Sequence, residues 1–342
     1  FRPAGESPWR MQETGGRKMQ ELSDLMKERA KALLSEGKVQ KVVGWKKGLF
    51  DDDVTPAVFE NADELENGFV FNKFCAANLS KYLIEITKSI ETRKSTVRMN
   101  NIMAKQRDPS SEDAPIPSEV VMVFLKPGDT YSFTELLKEN RIKREDVYAV
   151  GVPCQDSLDG GAMCESCAGK KHVSCDELLG VDENYESGES ERLKILSDFE
   201  SMSEDEKNAF WKNEFARCIR CNACRNVCPA CTCEKCVFDN NKLYTTQKVA
   251  ETSFEESLFH IIRAWHVAGR CTDCGECSRV CPQRIPLHLL NRKYIKDINE
   301  IYGEYQAGSD METKAPMLTY TTGDAEASIV WTRSQRGGED NA

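Results

Sequence analysis

The chain has 342 residues, of which 30% are charged and 40% hydrophobic, with a formal net charge of −10. That length fits two or three domains, and the balance describes a soluble globular protein. No run of about 18 apolar residues is available to span a bilayer, and the acidic balance lacks the basic footprint of a nucleic-acid surface.

Residues 1–18 are polar and rich in Gly and Pro, which predicts a disordered N-terminal segment. Residues 19–36 place Leu22, Leu25, Met26, Ala30, Leu33 and Leu34 at helical spacing, and Gly37 ends the run. Residues 39–45 read as a buried strand. A loop with Asp51, Asp52 and Asp53, read as solvated, leads to a second helix at about 79–90. Residues 106–118 form a polar, Pro-rich loop. A strand at 119–125, a helix at 132–140 and a strand at 146–152 then make a βαβ unit, which implies a parallel sheet. Residues 19–180 are therefore expected to be an α/β domain. No phosphate loop and no G-x-G-x-x-G follows a candidate strand.

Residues 181–207 read as an acidic linker with a short helix. Ser203 and Glu206 form a capping box for a helix that runs into Cys218. Residues 208–305 are expected to be a mainly α-helical domain. Phe254, Leu258, Ile261, Ile262 and Trp265 make a helical stripe that Gly269 terminates, and Leu290, Tyr294 and Ile298 mark a further helix. Residues 306–342 show no periodicity and read as an extended tail. Its apolar pieces at 317–320 and 329–331 are expected to dock on a partner or on the α/β domain.

Eight of the sixteen cysteines fall into two runs, Cys218, Cys221, Cys224, Cys228-Pro229 and Cys271, Cys274, Cys277, Cys281-Pro282. Both read C-x2-C-x2-C-x3-C-P, the spacing that puts three thiolates on one 4Fe–4S cube and sends the fourth to a neighbouring cube. Two copies imply crossed ligation: Cys218, Cys221 and Cys224 with Cys281, and Cys271, Cys274 and Cys277 with Cys228. Structural zinc prefers two pairs over a tight triplet followed by Cys-Pro. Such dense spacing with no signal peptide in view suits a metal site in the reducing cytoplasm, not disulfides.

The other eight cysteines carry less information. Cys154, Cys164 and Cys167 follow the 146–152 strand, at the carboxyl end where open α/β sheets place ligands. They point to a third cluster whose fourth ligand is either Cys75 or Cys175. Cys231, Cys233 and Cys236 follow the first motif and either bind a further cluster or zinc, or pack around the cubes. His266, near the second motif, reads as a helix-end histidine. No catalytic Ser/His/Asp set is visible.

The sequences around Cys75, at 136–154, at 218–236 and at 263–271 resemble the 4Fe–4S dicluster proteins related to the beta subunits of deazaflavin-reducing hydrogenase and formate dehydrogenase, which accompany heterodisulfide-reductase-like flavoproteins in anaerobes. The resemblance runs from about residue 19 to 330. It implies an electron-transfer subunit of a larger oxidoreductase, with flavoprotein or iron–sulfur partners and no independent substrate site. It also implies that Cys75, not Cys175, completes the N-terminal set. One departure is the turn Lys126-Pro127-Gly128-Asp129-Thr130, where relatives carry a Lys-Gly-Cys-Asp-like sequence. The alternative is a flavin reductase of a soluble carrier, with FAD in the N-terminal domain.

Overall fold

Apolar periodicity sets the first helix of the chain. The computed structural model describes residues 13–50, 52–154, 170–181, 193–239 and 254–316. Helix α1 (Glu13–Ser35) buries Leu22, Met26, Ala30 and Leu33 on one face and leaves Leu25 exposed. It begins before residue 19, so residues 13–18 are helical and not part of a disordered segment. Gly37, at φ +69°, closes the helix in the left-handed region that glycine enters without a Cβ clash.

The chain then enters β1 (Lys41–Lys47), whose Val42, Val43 and Trp45 are buried. Two further elements were not expected: β2 (Val54–Phe59), antiparallel to β1, and α2 (Ala62–Gly68), capped by Asn61. β2 is half exposed and holds Pro56, as suits an edge strand, so it lacks the apolar alternation of an interior one. Helix α3 (Ser80–Arg107) continues far beyond residue 90. Lys94 is its last buried residue, so the later turns offer no apolar period to read.

Strand β3 (Val121–Leu125) is buried throughout. Helix α4 (Pro127–Lys138) starts at Pro127 instead of residue 132, because proline is favoured in the first turn, where its missing N–H costs nothing. It crosses over to β4 (Val147–Gly151), parallel to β3, and a short β5 (Glu177–Leu178) follows. The order is β2-β1-β3-β4-β5, parallel except at the β2 edge. The expected parallel sheet is thus present in its main part and mixed at that edge: a hairpin-like return needs only a short connection, which is available only to antiparallel strands.

In the C-terminal half come α5 (Lys194–Glu200), α6 (Glu204–Ala216), α7 (Ala223–Asn226), α8 (Phe254–His266), α9 (Glu276–Arg279) and α10 (Leu287–Tyr302). The capping box of Ser203 and Glu206 is formed. Helix α8 turns its apolar stripe outward. Its stripe residues Phe254, Leu258, Ile261 and Trp265 are exposed, whereas Glu256, Phe259, His260, Arg263 and Ala264 are buried.

After α10 the chain does not run free. Gly308 sits so close to the Tyr131 carbonyl of α4 that a Cβ would lie 1.9 Å from its oxygen. Lys138 Nζ donates to Thr313 O at 2.5 Å. Residues 303–316 are thus fastened to the α/β half, and the apolar pieces at 317–320 and 329–331 lie outside the described residues. Among the described residues no helix is long and apolar enough to cross a membrane.

Candidate metal centre

The two cysteine runs fold in the same way. In the first, Arg220 and Asn222 adopt φ of 54° and 60°; in the second, Asp273 and Gly275 adopt 57° and 71°. Each triplet is thus reversed twice through left-handed backbone, immediately before and after its middle cysteine, and then enters a four-residue helix, α7 or α9. Left-handed backbone is unfavourable for non-glycine residues and persists where its surroundings hold it. Here buried ion pairs hold it. The Arg220 guanidinium meets Glu256 of α8 at 3.0 Å, and Asp273 accepts from Arg292 Nε of α10 at 3.0 Å.

This folding interleaves the runs. Cys218, Cys221, Cys224 and Cys281 line one recess, closed by Phe259, His260, Ile285 and Leu287. On the other side, the thiols of Cys271, Cys274 and Cys277 each feel the charge of Cys228. Burial pushes Cys224 up to about 11 and raises all three thiols of the second triplet. Thiols so desolvated stay protonated unless a cation faces them, and a coordinated metal supplies one. By its chemistry, thiols alone, the donor set is of the kind an iron–sulfur group takes; among the described residues no three His, Cys, Asp or Glu side chains are arranged to hold a single metal ion.

Residues 214–285 match the family of 4Fe–4S dicluster domains. The chain is similar to that family over this stretch. It is also 30% identical, over 112 residues, to the F420-dependent formate dehydrogenase subunit beta of Methanocaldococcus jannaschii, covering 32% of this chain and 29% of that protein. It is 24% identical over 184 residues to lactate utilization protein B of Bacillus cytotoxicus, covering 52% of this chain and 36% of that protein. The matched region spans about a third of the length of these curated relatives.

The dicluster domain meets the α/β half through its second motif. Asn78 N donates to Glu276 Oε2 at 3.2 Å, and Asn78 Nδ2 to Ser132 Oγ at 3.0 Å. Ser132 Oγ in turn lies 2.8 Å from Thr272 Oγ1, and Lys170 Nζ donates to Thr272 O at 2.6 Å. Arg270 forms a two-pronged ion pair with Glu139. The first motif faces outward instead, with Cys221 exposed and Ile219 at 54% exposure. In the first triplet Cys218 and Cys224 are buried and Cys221 is exposed; in the second Cys277 is buried and Cys271 and Cys274 are half-buried.

The other cysteines divide unevenly. Cys231 lies against Cys228, whose thiol it pulls below the ordinary range by hydrogen bonding. Lys81 Nζ donates to the Cys231 carbonyl at 2.6 Å. Cys233 is exposed, and Cys236 neighbours Arg225. Among the N-terminal candidates, Cys75 is buried in the loop before α3, and burial pushes its thiol up to about 12. Lys126 Nζ holds that loop through the carbonyls of Cys75, Ala76 and Ala77 at 3.1, 2.7 and 3.2 Å, and it also feels the charge of Cys154. Lys126 thus touches Cys75 through its carbonyl, and acts on the Cys75 and Cys154 sulfurs through charge. Cys175 instead packs at the end of β4, against the position a Gly151 side chain would take, and burial pushes it up to about 12. Cys164 and Cys167 lie outside the described residues.

Sequence reasoning missed His260 and Arg263. His266, the histidine it singled out, is exposed, whereas His260 is 1% exposed and stacks on Phe215 at a centroid distance of 4.6 Å. The available signal was polar: Glu256, His260 and Arg263 recur at intervals of four and three, a face as regular as the apolar stripe. Lys126 belongs to the departure noted at 126–130, and its burial gives that departure a structural role.

Proposed function

We propose that this protein is an iron–sulfur electron-transfer subunit of a multi-subunit oxidoreductase, relaying single low-potential electrons between partner redox centres. The observation that carries this reading is the interleaving of the two cysteine runs, with Cys281 beside the first triplet and Cys228 beside the second. Cys218, Cys221, Cys224 and Cys281 would hold one 4Fe–4S cube, and Cys271, Cys274, Cys277 and Cys228 the other. The cubes supply one-electron redox chemistry. The chain's own residues position the thiolates, exclude water and set the surrounding charge.

The direction of relay follows from the arrangement of the sites. The second triplet abuts the α/β half, where Cys75 and Cys154, with Cys164 and Cys167, would hold a third cluster. The first triplet opens to the surface at Ile219 and Cys221. Electrons would pass between the α/β half and that surface through the two cubes in series. The exposed stripe of Phe254, Leu258, Ile261 and Trp265 supports a partner subunit docked on α8, since large apolar groups in a contiguous exposed patch mark interaction sites. The cytoplasm of an anaerobe is the setting that fits such chemistry, and a formate dehydrogenase-like complex is the partner class that the relatives favour.

One observation favours the second reading, a reductase with FAD in the N-terminal domain. A cleft of about 990 Å³ runs along α3 opposite residues 231–235, with Lys81, Lys88, Arg141 and Lys143 on its walls. Anaerobic purification with iron, sulfide and flavin quantified separates the two. The subunit reading expects about eight iron and eight sulfide per chain for two cubes, or about twelve with a third, and no flavin. A stoichiometric FAD band would favour the reductase. A colourless, iron-free protein would refute both.

A further inference from the structure

Helix α8 carries a buried cation whose charge nothing in the protein balances in the ordinary way. Arg263 is 2% exposed, and among the described residues its guanidinium meets no carboxylate and no oxygen or nitrogen partner; the group it reaches is the Cys277 sulfur. The two other buried arginines of the domain differ. Arg220 is paired with Glu256 and Arg292 with Asp273, both at 3.0 Å. Glu256, two helical turns before Arg263 on the same face of α8, is thereby already engaged.

An unpaired buried charge costs several kcal/mol even after relaxation, so it persists only where opposite charge faces it. The groups acting most strongly on Arg263 are the sulfurs of Cys277, Cys224, Cys228 and Cys231. These come from both interleaved sets: Cys224 from the first, Cys277 and Cys228 from the second. A cube held by four thiolates carries net negative charge, and reduction adds one more. A fixed cation between two such groups stabilises the reduced form of each, and net local charge is among the determinants of cluster potential. His260, one turn earlier, lines the recess of the first set only.

We propose that Arg263 is a shared electrostatic positioning residue for the two cubes, raising both potentials together and keeping them close enough for transfer between them. This rests on the iron–sulfur reading above. The test is an EPR-monitored redox titration of the full chain, purified anaerobically, as wild type, Arg263→Gln and Arg263→Lys, with iron and sulfide measured on each.

With both cubes loaded, Arg263→Gln should lower the reduced-to-oxidised ratio of each cube at least tenfold at fixed potential, about 59 mV for a one-electron couple. Arg263→Lys, which keeps the charge, should stay within threefold of wild type. A loaded Gln variant that titrates like wild type, or in which one cube alone shifts, overturns the proposal. If the Gln variant does not load both cubes, the Lys variant decides. Loaded cubes at wild-type potentials uphold the role of charge; a tenfold shift or an unloaded protein overturns it. Wild-type protein lacking iron and sulfide would instead sink the carrier reading itself, a result distinguishable from loaded cubes with unmoved potentials.

Discussion

In the α/β half, the largest buried side chains include Met26, Trp45, Phe71, Leu83, Phe124 and Phe133, rings such as Phe69 and Phe124 meet at centroid distances of 5.5 Å, and the buried charges pair, Lys94 with Asp146 and Lys126 with Asp129. In the dicluster domain the buried set includes Arg220, Glu256, His260, Arg263, Asp273, Glu276 and Arg292, while its apolar cluster is built on Phe215, Ile285, Leu287 and three cysteines. The first half removes enough carbon from water to fold on hydrophobic burial. The second buries charge and thiol, which stabilise a fold only when matched. Arg220, Arg292 and Glu276 are matched within the domain by Glu256, Asp273 and Arg279; for the thiols and Arg263 the matching partners, on this account, are iron and sulfide. The difference teaches that one chain can hold a self-sufficient scaffold beside a domain whose folding free energy is largely binding free energy.

The comparison breaks most visibly if iron is removed. Chelation under anaerobic conditions should leave hydrogen-exchange protection of β1, β3 and β4 unchanged. Protection in α8 and α10 should fall roughly a thousandfold, about 4 kcal/mol. Equal loss in both halves would mean that the two do not differ as described. The converse perturbation is Phe124→Ala, which should cost about 3–5 kcal/mol in urea unfolding of the α/β half and leave iron and sulfide content at the wild-type level.

Within the dicluster domain, Asp273→Asn strands the Arg292 guanidinium and should cost about 3 kcal/mol or more, read as earlier thermal release of iron. The double variant Asp273→Asn with Arg292→Leu, which keeps a residue that tolerates the left-handed backbone at 273, should recover part of that loss, and no recovery would argue against the cost being an uncompensated charge. The smallest effect is expected at the edge of the sheet, where Arg29 clamps Glu177 with two contacts of 2.7 Å. Glu177→Gln should cost less than about 1 kcal/mol, because the pair is partly solvated. Arg29 holds Glu177 below its ordinary value of 4.5, so the clamp contributes above that pH and is lost as pH falls through the lowered value. The wild type and the variant should converge in stability in acid.

Legibility followed the same divide. Helix α1, strands β3 and β4 and the crossover helix were readable, because burial there writes apolar periods into the sequence. β2 and the last turns of α3 were not, since a half-exposed edge strand and a polar helix leave no such mark. The cysteine spacing named the cluster chemistry, because thiolate geometry at a cube tolerates few spacings. The orientation of α8 was not legible for a definite reason. An apolar stripe normally faces the core, but here the face turned inward is the one bearing Glu256, His260 and Arg263. The carboxylate that bonds Asn78, Glu276, lay hidden between two motif cysteines, its partner nearly two hundred residues away in sequence.

Crossed ligation is the claim on which the electron path depends, and one comparison of spectra tests it. Cys281→Ser, Cys218→Ser and Cys271→Ser should be reconstituted anaerobically and their low-temperature EPR spectra recorded after reduction. The account predicts that the Cys281→Ser spectrum matches that of Cys218→Ser, with the cube of Cys271, Cys274 and Cys277 unchanged. A Cys281→Ser spectrum that matches Cys271→Ser instead, with the cube of Cys218, Cys221 and Cys224 intact, would contradict it.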